Sequence, residues 1–169
     1  MAKLEIKKYG EPVLRKKVIA VSEITEDIEK LAVDMLETMY AAPGVGLAAP
    51  QVGISLRLCV IDVSQDRKSP LIMINPKVIA GDNEVFAKEG CLSFPDCYES
   101  VKRFGNVVAE YVDLKGKKIK IKSEEWFLSR AIQHEIDHLD AKLFIDYLSE
   151  WKRKTIEKKI KRRKKAGRW

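Results

Sequence analysis

Gln133-His134-Glu135-Ile136-Asp137-His138-Leu139 contains both histidines of the 169-residue sequence. Residues four apart share a helix face, with Cβ atoms about 5–6 Å apart, so His134 and His138 are spaced to grip one metal ion. Glu135 projects about a third of a turn away, within reach of a water on that ion without ligating it. This is the His-Glu-x-x-His arrangement of metal-dependent hydrolases. A helix that merely carries two solvated histidines is the plainer alternative. The concentration of both histidines in this one motif argues against it.

The same segment carries an apolar stripe, Leu128, Ile132, Ile136, Leu139 and Leu143, which predicts a buried helix. Its start is predicted near Ser123, with Glu124 and Glu125 in the first turn. Upstream, Thr25 as N-cap precedes Ile28, Leu31, Met35, Leu36 and Met39 at helical spacing, and Pro43-Gly44 ends that run. Residues 57–63 and 71–79 read as strands; residues 107–113 and 117–122 flank Lys115-Gly116 as a hairpin. Strands in runs without βαβ alternation predict an α+β fold: antiparallel sheets packed around the buried motif helix, plus a basic C-terminal helix. No repeat or linker divides the chain. Residues 1–149 are read as the catalytic part, and 150–169 as a basic helix or tail of the same domain.

A catalytic metal usually takes three protein ligands and keeps one position for water, and no third histidine exists. Asp137 and Asp140 point elsewhere around the helix. Glu150 and Glu157 lie in the charged tail and remain the ligands of an alternative, a zinc peptidase. Upstream, Glu89-Gly90-Cys91-Leu92-Ser93 offers Cys91, forty-three residues before His134. Two imidazoles and a thiolate suit zinc, iron(II), cobalt or nickel, not magnesium or calcium, and the residues alone favour zinc. A second alternative, an RNA-binding protein with a structural metal, needs four protein ligands and leaves Glu135 idle.

Three stretches together resemble peptide deformylase, in that family's order: Gly44-Val45-Gly46-Leu47-Ala48-Ala49-Pro50-Gln51, Glu89-Gly90-Cys91-Leu92-Ser93 and the motif from Gln133 to Leu139. The likeness extends from Gly10-Glu11-Pro12-Val13-Leu14-Arg15 to Leu143-Phe144-Ile145-Asp146. One departure is Ala141, where the family usually has glycine. The resemblance implies hydrolysis of the formyl group of N-formylmethionyl nascent chains, releasing formate. It implies Cys91, His134 and His138 as ligands of one ion per chain: iron(II) physiologically, with zinc, nickel or cobalt able to take its place. Glu135 becomes the base and then the acid; the Gln51 side chain and the Leu92 backbone N–H become donors to the oxyanion. Gly44, Val45 and Gly46 are expected against the substrate, the glycines permitting positive φ and close approach by a substrate backbone, with a simple helix-to-strand turn as the plainer reading. Glu89 and Arg103 are expected to orient the substrate or support the ligands. Arg130, one turn before His134, either borders the pocket or is a surface arginine.

Three cysteines are too few and too odd in number for a disulfide framework. With no apolar run of signal or membrane-spanning length, they predict a cytoplasmic protein with no membrane or DNA partner. Cys59 reads as buried and inert, and Cys97 as a loop residue. The formal net charge of +7 is unevenly spread: residues 150–169 hold eleven Lys or Arg and two Glu. Leu148, Trp151, Ile156 and Ile160 form an apolar edge on that basic helix. Clustered cations are the footprint of phosphate binding, and the resemblance implies a ribosome or rRNA contact through this tail. A solvated helix is the alternative.

Overall fold

The computed structural model describes residues 3–169. In chain order it contains α1 (Glu26–Ala41), β1 (Gly46–Ala48), β2 (Leu58–Ile61), β3 (Leu71–Cys91), β4 (Phe94–Val112), β5 (Lys118–Ser123), α2 (Trp126–Leu139) and α3 (Glu150–Lys165). Short 3-10 turns cover Pro12–Arg15, Ala49–Val52 and Phe144–Tyr147. The strands form one five-stranded sheet in chain order, antiparallel throughout. This is the predicted α+β architecture with the motif helix at its centre.

All four residues of β2 are buried, because both faces of that strand are covered. Side chains alternate across a strand, so Leu58 and Val60 face α1 with Met35 and Met39. Cys59 and Ile61 face α2 with Ile132, Ile136 and Leu139. The apolar stripe of the motif helix is therefore inside the protein, and truncating one such residue as large as Ile132 costs about 2–5 kcal/mol. Cys59 is fully buried and its thiol is pushed well above its ordinary range by burial.

β3 and β4 run far beyond the predicted strand and hairpin. Only Leu71 to Ile74 pair with β2 and only Val107 to Val112 with β5. The rest is a two-stranded ribbon, with register shifts near its base and at Cys91, that folds back along α2. Its inward face carries Glu89, Val101 and Arg103; its outward face carries the exposed Phe86 and Tyr98. A third core joins the ribbon to the chain's end, with Phe94, Cys97 and Val101 packed on Leu143, Phe144, Ile156 and Ile160. Cys97 thus belongs to a core rather than a loop. The apolar edge of α3 is real at Ile156 and Ile160, while Trp151 is 74 % exposed and lies outside it.

Helix ends differ from expectation in two places. Thr25 holds the N-cap position of α1 but makes no side-chain cap. α2 begins three residues later than predicted, because Ser123 still pairs with Val107 at the end of β5. Glu125 is the cap, its carboxylate accepting from the N–H groups of Phe127 and Leu128 at 2.9 and 2.7 Å.

At the other end of α2, the N–H of Lys142 donates to the Asp137 carbonyl at 2.8 Å and that of Ala141 to the His138 carbonyl at 3.2 Å. This Schellman closure requires a left-handed residue, and Ala141 adopts φ 57°. An L-residue pays about 1–2 kcal/mol there, against the smaller entropic cost of glycine. Ala141→Gly is expected to raise stability by about 0.5–1 kcal/mol, read as a higher urea midpoint. An unchanged or lower midpoint would show that Ala141 carries no strain.

Candidate metal centre

α2 turns His134, Glu135 and His138 toward the end of the ribbon; they are 9 %, 4 % and 2 % exposed. Cys91 is the last residue of β3, and the turn through Leu92 and Ser93 sends the chain back into β4. Cys91 Sγ lies 3.3 Å from His138 Nε2. The ligand atoms of Cys91, His134 and His138 all lie within 4.8 Å of one another, and no other such group occurs among the described residues. Glu150 pairs instead with Lys154 at 2.5 Å, and Glu157 accepts from the Tyr9 hydroxyl at 3.1 Å. Neither approaches the histidines.

Glu89 lies behind His134. Its carboxylate accepts from Arg103 Nε at 2.7 Å and Nη2 at 3.1 Å, and lies 2.9 Å from His134 Nδ1. Burial works against this carboxylate, but the bonds from His134 and Arg103 outweigh it and hold its pKa at about 2. An ionised carboxylate only accepts, so Nδ1 of His134 carries the proton and Nε2 is left for a ligand. Burial, followed by the neighbouring His134, holds His138 well below the ordinary imidazole value, in the neutral form that ligates.

Burial also pushes the Glu135 carboxyl up to about 7, with His134 opposing. Its Oε2 is buried without a protein partner, beside a thiol and two imidazoles. That donor set fits one divalent ion with a water next to it: three protein ligands, soft and borderline, and a free carboxylate oxygen near them. Gln51 is fixed at both ends of its amide. Its Oε1 accepts from the Ala48 N–H at 2.9 Å, and its Nε2 donates to Ser93 Oγ at 3.2 Å while lying 3.4 Å from Cys91 Sγ.

Gly44, Val45, Gly46, Gln51, Glu89, Cys91, Leu92, His134 and Glu135 line one cavity of about 510 Å³. His138 is not among its lining residues. Arg130 also lines it, stacked over Trp126 and Phe127 and donating to the Lys88 carbonyl at 2.6 Å. Arg103 does not line the cavity, so the reading that places it against substrate is corrected: its guanidinium is buried behind His134. Positive φ is likewise corrected, since neither Gly44 nor Gly46 has it. Gly46 is needed because a Cβ there would run into the Glu135 carboxylate, and at Gly44 a Cβ would come 2.7 Å from Leu92 Cδ1. Sequence reasoning missed Ser93 as the anchor of Gln51, although it stands in the stretch quoted for Cys91. It also missed Asp137 and Tyr147 beside Arg103, which no spacing rule joins.

The family model described as polypeptide deformylase matches residues 3–154. A peptide deformylase from Endomicrobium trichonymphae is 66 % identical over 169 residues, covering 100 % of both chains. The crystal structure of a peptide deformylase from Legionella pneumophila superposes with a TM-score of 0.93 at 40 % identity, covering 98 % of each chain. One from Ehrlichia chaffeensis in complex with actinonin gives 0.90 at 36 % identity, covering 96 % of this chain and 98 % of that one.

Gly46→Ala is expected to displace the Glu135 side chain into the cavity while leaving the core intact. A misplacement of about 1 Å can cost about 10²-fold in rate, so turnover should fall ten- to a hundredfold, roughly, with the unfolding temperature nearly unchanged. Wild-type turnover in Gly46→Ala would mean that the contact does not fix Glu135.

Proposed function

This chain belongs to the polypeptide deformylase family, metal-dependent hydrolases that remove the N-formyl group from newly made polypeptides, and we propose that Cys91, His134 and His138 hold its ion and Glu135 moves the proton. The observation that carries this reading is the convergence of the three ligand atoms within 4.8 Å beside the buried, unpartnered Glu135 Oε2. A divalent ion held there supplies Lewis acidity that makes water nucleophilic near neutral pH. Glu135 accepts the proton of the attacking water and delivers it to the departing amine nitrogen, serving as base and then acid. The Gln51 amide and the Leu92 N–H donate to the oxygen of the formyl group as it gains charge. Gly44, Val45 and Gly46 form the backbone edge along which the substrate lies. Glu89 keeps His134 in the ligating tautomer.

Iron(II) is the ion of this proposal, with zinc, nickel or cobalt as substitutes, and the compartment is the cytoplasm. All three cysteines are unpaired, which suits reducing conditions, and no helix among the described residues is long and apolar enough to cross a membrane. The ribosome is the proposed partner of α3. Lys152 pairs with Glu99 at 2.7 Å and Arg163 with Asp96, while Lys158, Lys161, Arg162 and Lys165 are exposed on the helix.

Glu135→Gln is expected to retain metal and lose about 10²–10⁴-fold in formate release from a formyl-Met peptide. Cys91→Ala should fall well below one ion per chain by metal analysis, and full occupancy in that variant removes Cys91 from the ligand set. A Glu135→Gln protein within a small factor of wild type at equal metal content would falsify the proton-carrier role. Replacing Lys158, Lys161, Arg162 and Lys165 by Gln should weaken cosedimentation with ribosomes and flatten its salt dependence by up to about four counterions. Formate release should be unaffected. Equal, salt-insensitive binding of both forms would reduce α3 to a structural helix.

A further inference from the structure

The stretch Leu143-Phe144-Ile145-Asp146, part of the resemblance, supplies none of the groups assigned so far. It forms the 3-10 turn Phe144–Tyr147 just after α2, and it meets His134 by two routes. The Phe144 ring lies nearly parallel to the His134 imidazole, centroids 6.5 Å apart at 26°. The second route runs through hydrogen bonds. The Tyr147 hydroxyl donates to Asp137 Oδ1 at 3.0 Å, and Arg103 Nη1 donates to Asp137 Oδ2 at 2.5 Å. Arg103 then holds both oxygens of Glu89, which accepts from His134 Nδ1. The Arg103 guanidinium also stacks over the Tyr147 ring, 4.6 Å from its centroid.

We propose that Tyr147 is a positioning residue for His134, acting through Asp137, Arg103 and Glu89, and that it thereby sets how tightly the site holds its ion. The proposal rests on the reading of His134 as a ligand. Its physical basis is that Arg103 has alternatives. A guanidinium facing one carboxylate can pivot about it, whereas one gripped by Glu89 on one edge and Asp137 on another has a single orientation. Tyr147 fixes the Asp137 carboxylate in the plane that accepts Nη1 and caps the guanidinium face. Loosening that end lets the Glu89 carboxylate rotate, and the imidazole rotates with it. Asp137 and Tyr147 do not line the substrate cavity; with Arg103 they line a separate one. The turn itself is anchored independently, by Arg15 on Asp146 at 2.6 and 2.8 Å and by the Leu143 N–H on Asp146 at 2.9 Å. Removing one hydroxyl therefore leaves it folded.

The test uses the full chain freed of metal and titrated with cobalt(II) against a chromophoric chelator. Outer partners of ligating histidines typically contribute 10–100-fold to affinity. Being further removed, Tyr147→Phe should weaken cobalt binding by about three- to tenfold and Asp137→Asn by about tenfold. The visible absorption of the cobalt protein should shift, and the melting temperature of the metal-free protein should not. His134→Ala serves as the reference. If it retains wild-type affinity, the ligand reading fails, and the proposal with it. If His134→Ala loses affinity while Tyr147→Phe and Asp137→Asn bind cobalt within twofold of wild type with an unchanged spectrum, the positioning role alone is overturned. A fall in affinity matched by an equal loss of metal-free stability would also overturn it, as general loosening.

Discussion

Glu89 keeps its charge inside the protein, between a guanidinium from β4 and an imidazole from α2, and the arrangement of the ribbon against the central helix follows from that. A buried charge stripped of one partner costs about 3–5 kcal/mol, so neither strand nor helix is free to move relative to the other. The pairing also enforces register. Side chains alternate at every residue of a strand, and a slip of one would turn Glu89 and Arg103 outward, onto the face that now carries Phe86 and Tyr98. The same carboxylate decides a proton position on His134. Fold specificity and ligand chemistry thus share one group.

Around that axis the rest is apolar layering. β2 is buried on both faces between α1 and α2, which makes the motif helix an internal element and raises the cost of any polar atom left unpaired on it. The polar atoms present are accordingly few and committed. Ser129 bonds to Ser123 at 2.8 Å, Gln133 to the backbone of Phe104 and Asp137 to Arg103 and Tyr147, while Arg130, His134 and Glu135 line the cavity. A buried helix with one polar side is what allows a carboxylate and two imidazoles to sit out of water without unfolding the core.

Much of this was legible in the sequence, and what was not has physical reasons. α1, α2 and the β4–β5 hairpin are short-range features whose periodicity is written in consecutive residues, so they were readable to within a few positions. The motif histidines and Cys91 were readable because their residue types are rare and specific. The ribbon was not: Gly81, Asp82, Asn83 and Glu84 are exposed and have the composition of a turn, and only its inner face is buried. Its strand character comes from cross-strand bonds rather than local preference. Arg103 was readable only as a support for ligands or substrate, and its partners stayed hidden, since they lie 14 and 34 residues away. Gly46 reads as a flexible position and proves to be a steric one, because the atom that excludes a side chain there belongs to a helix far along the chain.

Tyr9 stacks on Phe94 at 4.8 Å and its hydroxyl reaches Glu157 across 148 residues of sequence. Its N–H also holds the carbonyl of Ser93, while the N–H of Lys7 holds that of Gln51. Tyr9 therefore takes part of its cover from a helix made well after it. Until α3 has been made, Phe94, Cys97 and Val101 lack the cover of Ile156 and Ile160, and contacts between such distant segments form slowly. A member of a family that works on other nascent chains thus closes its own third core only once α3 has been made, and partly covered cores of that kind are the ones open to aggregation.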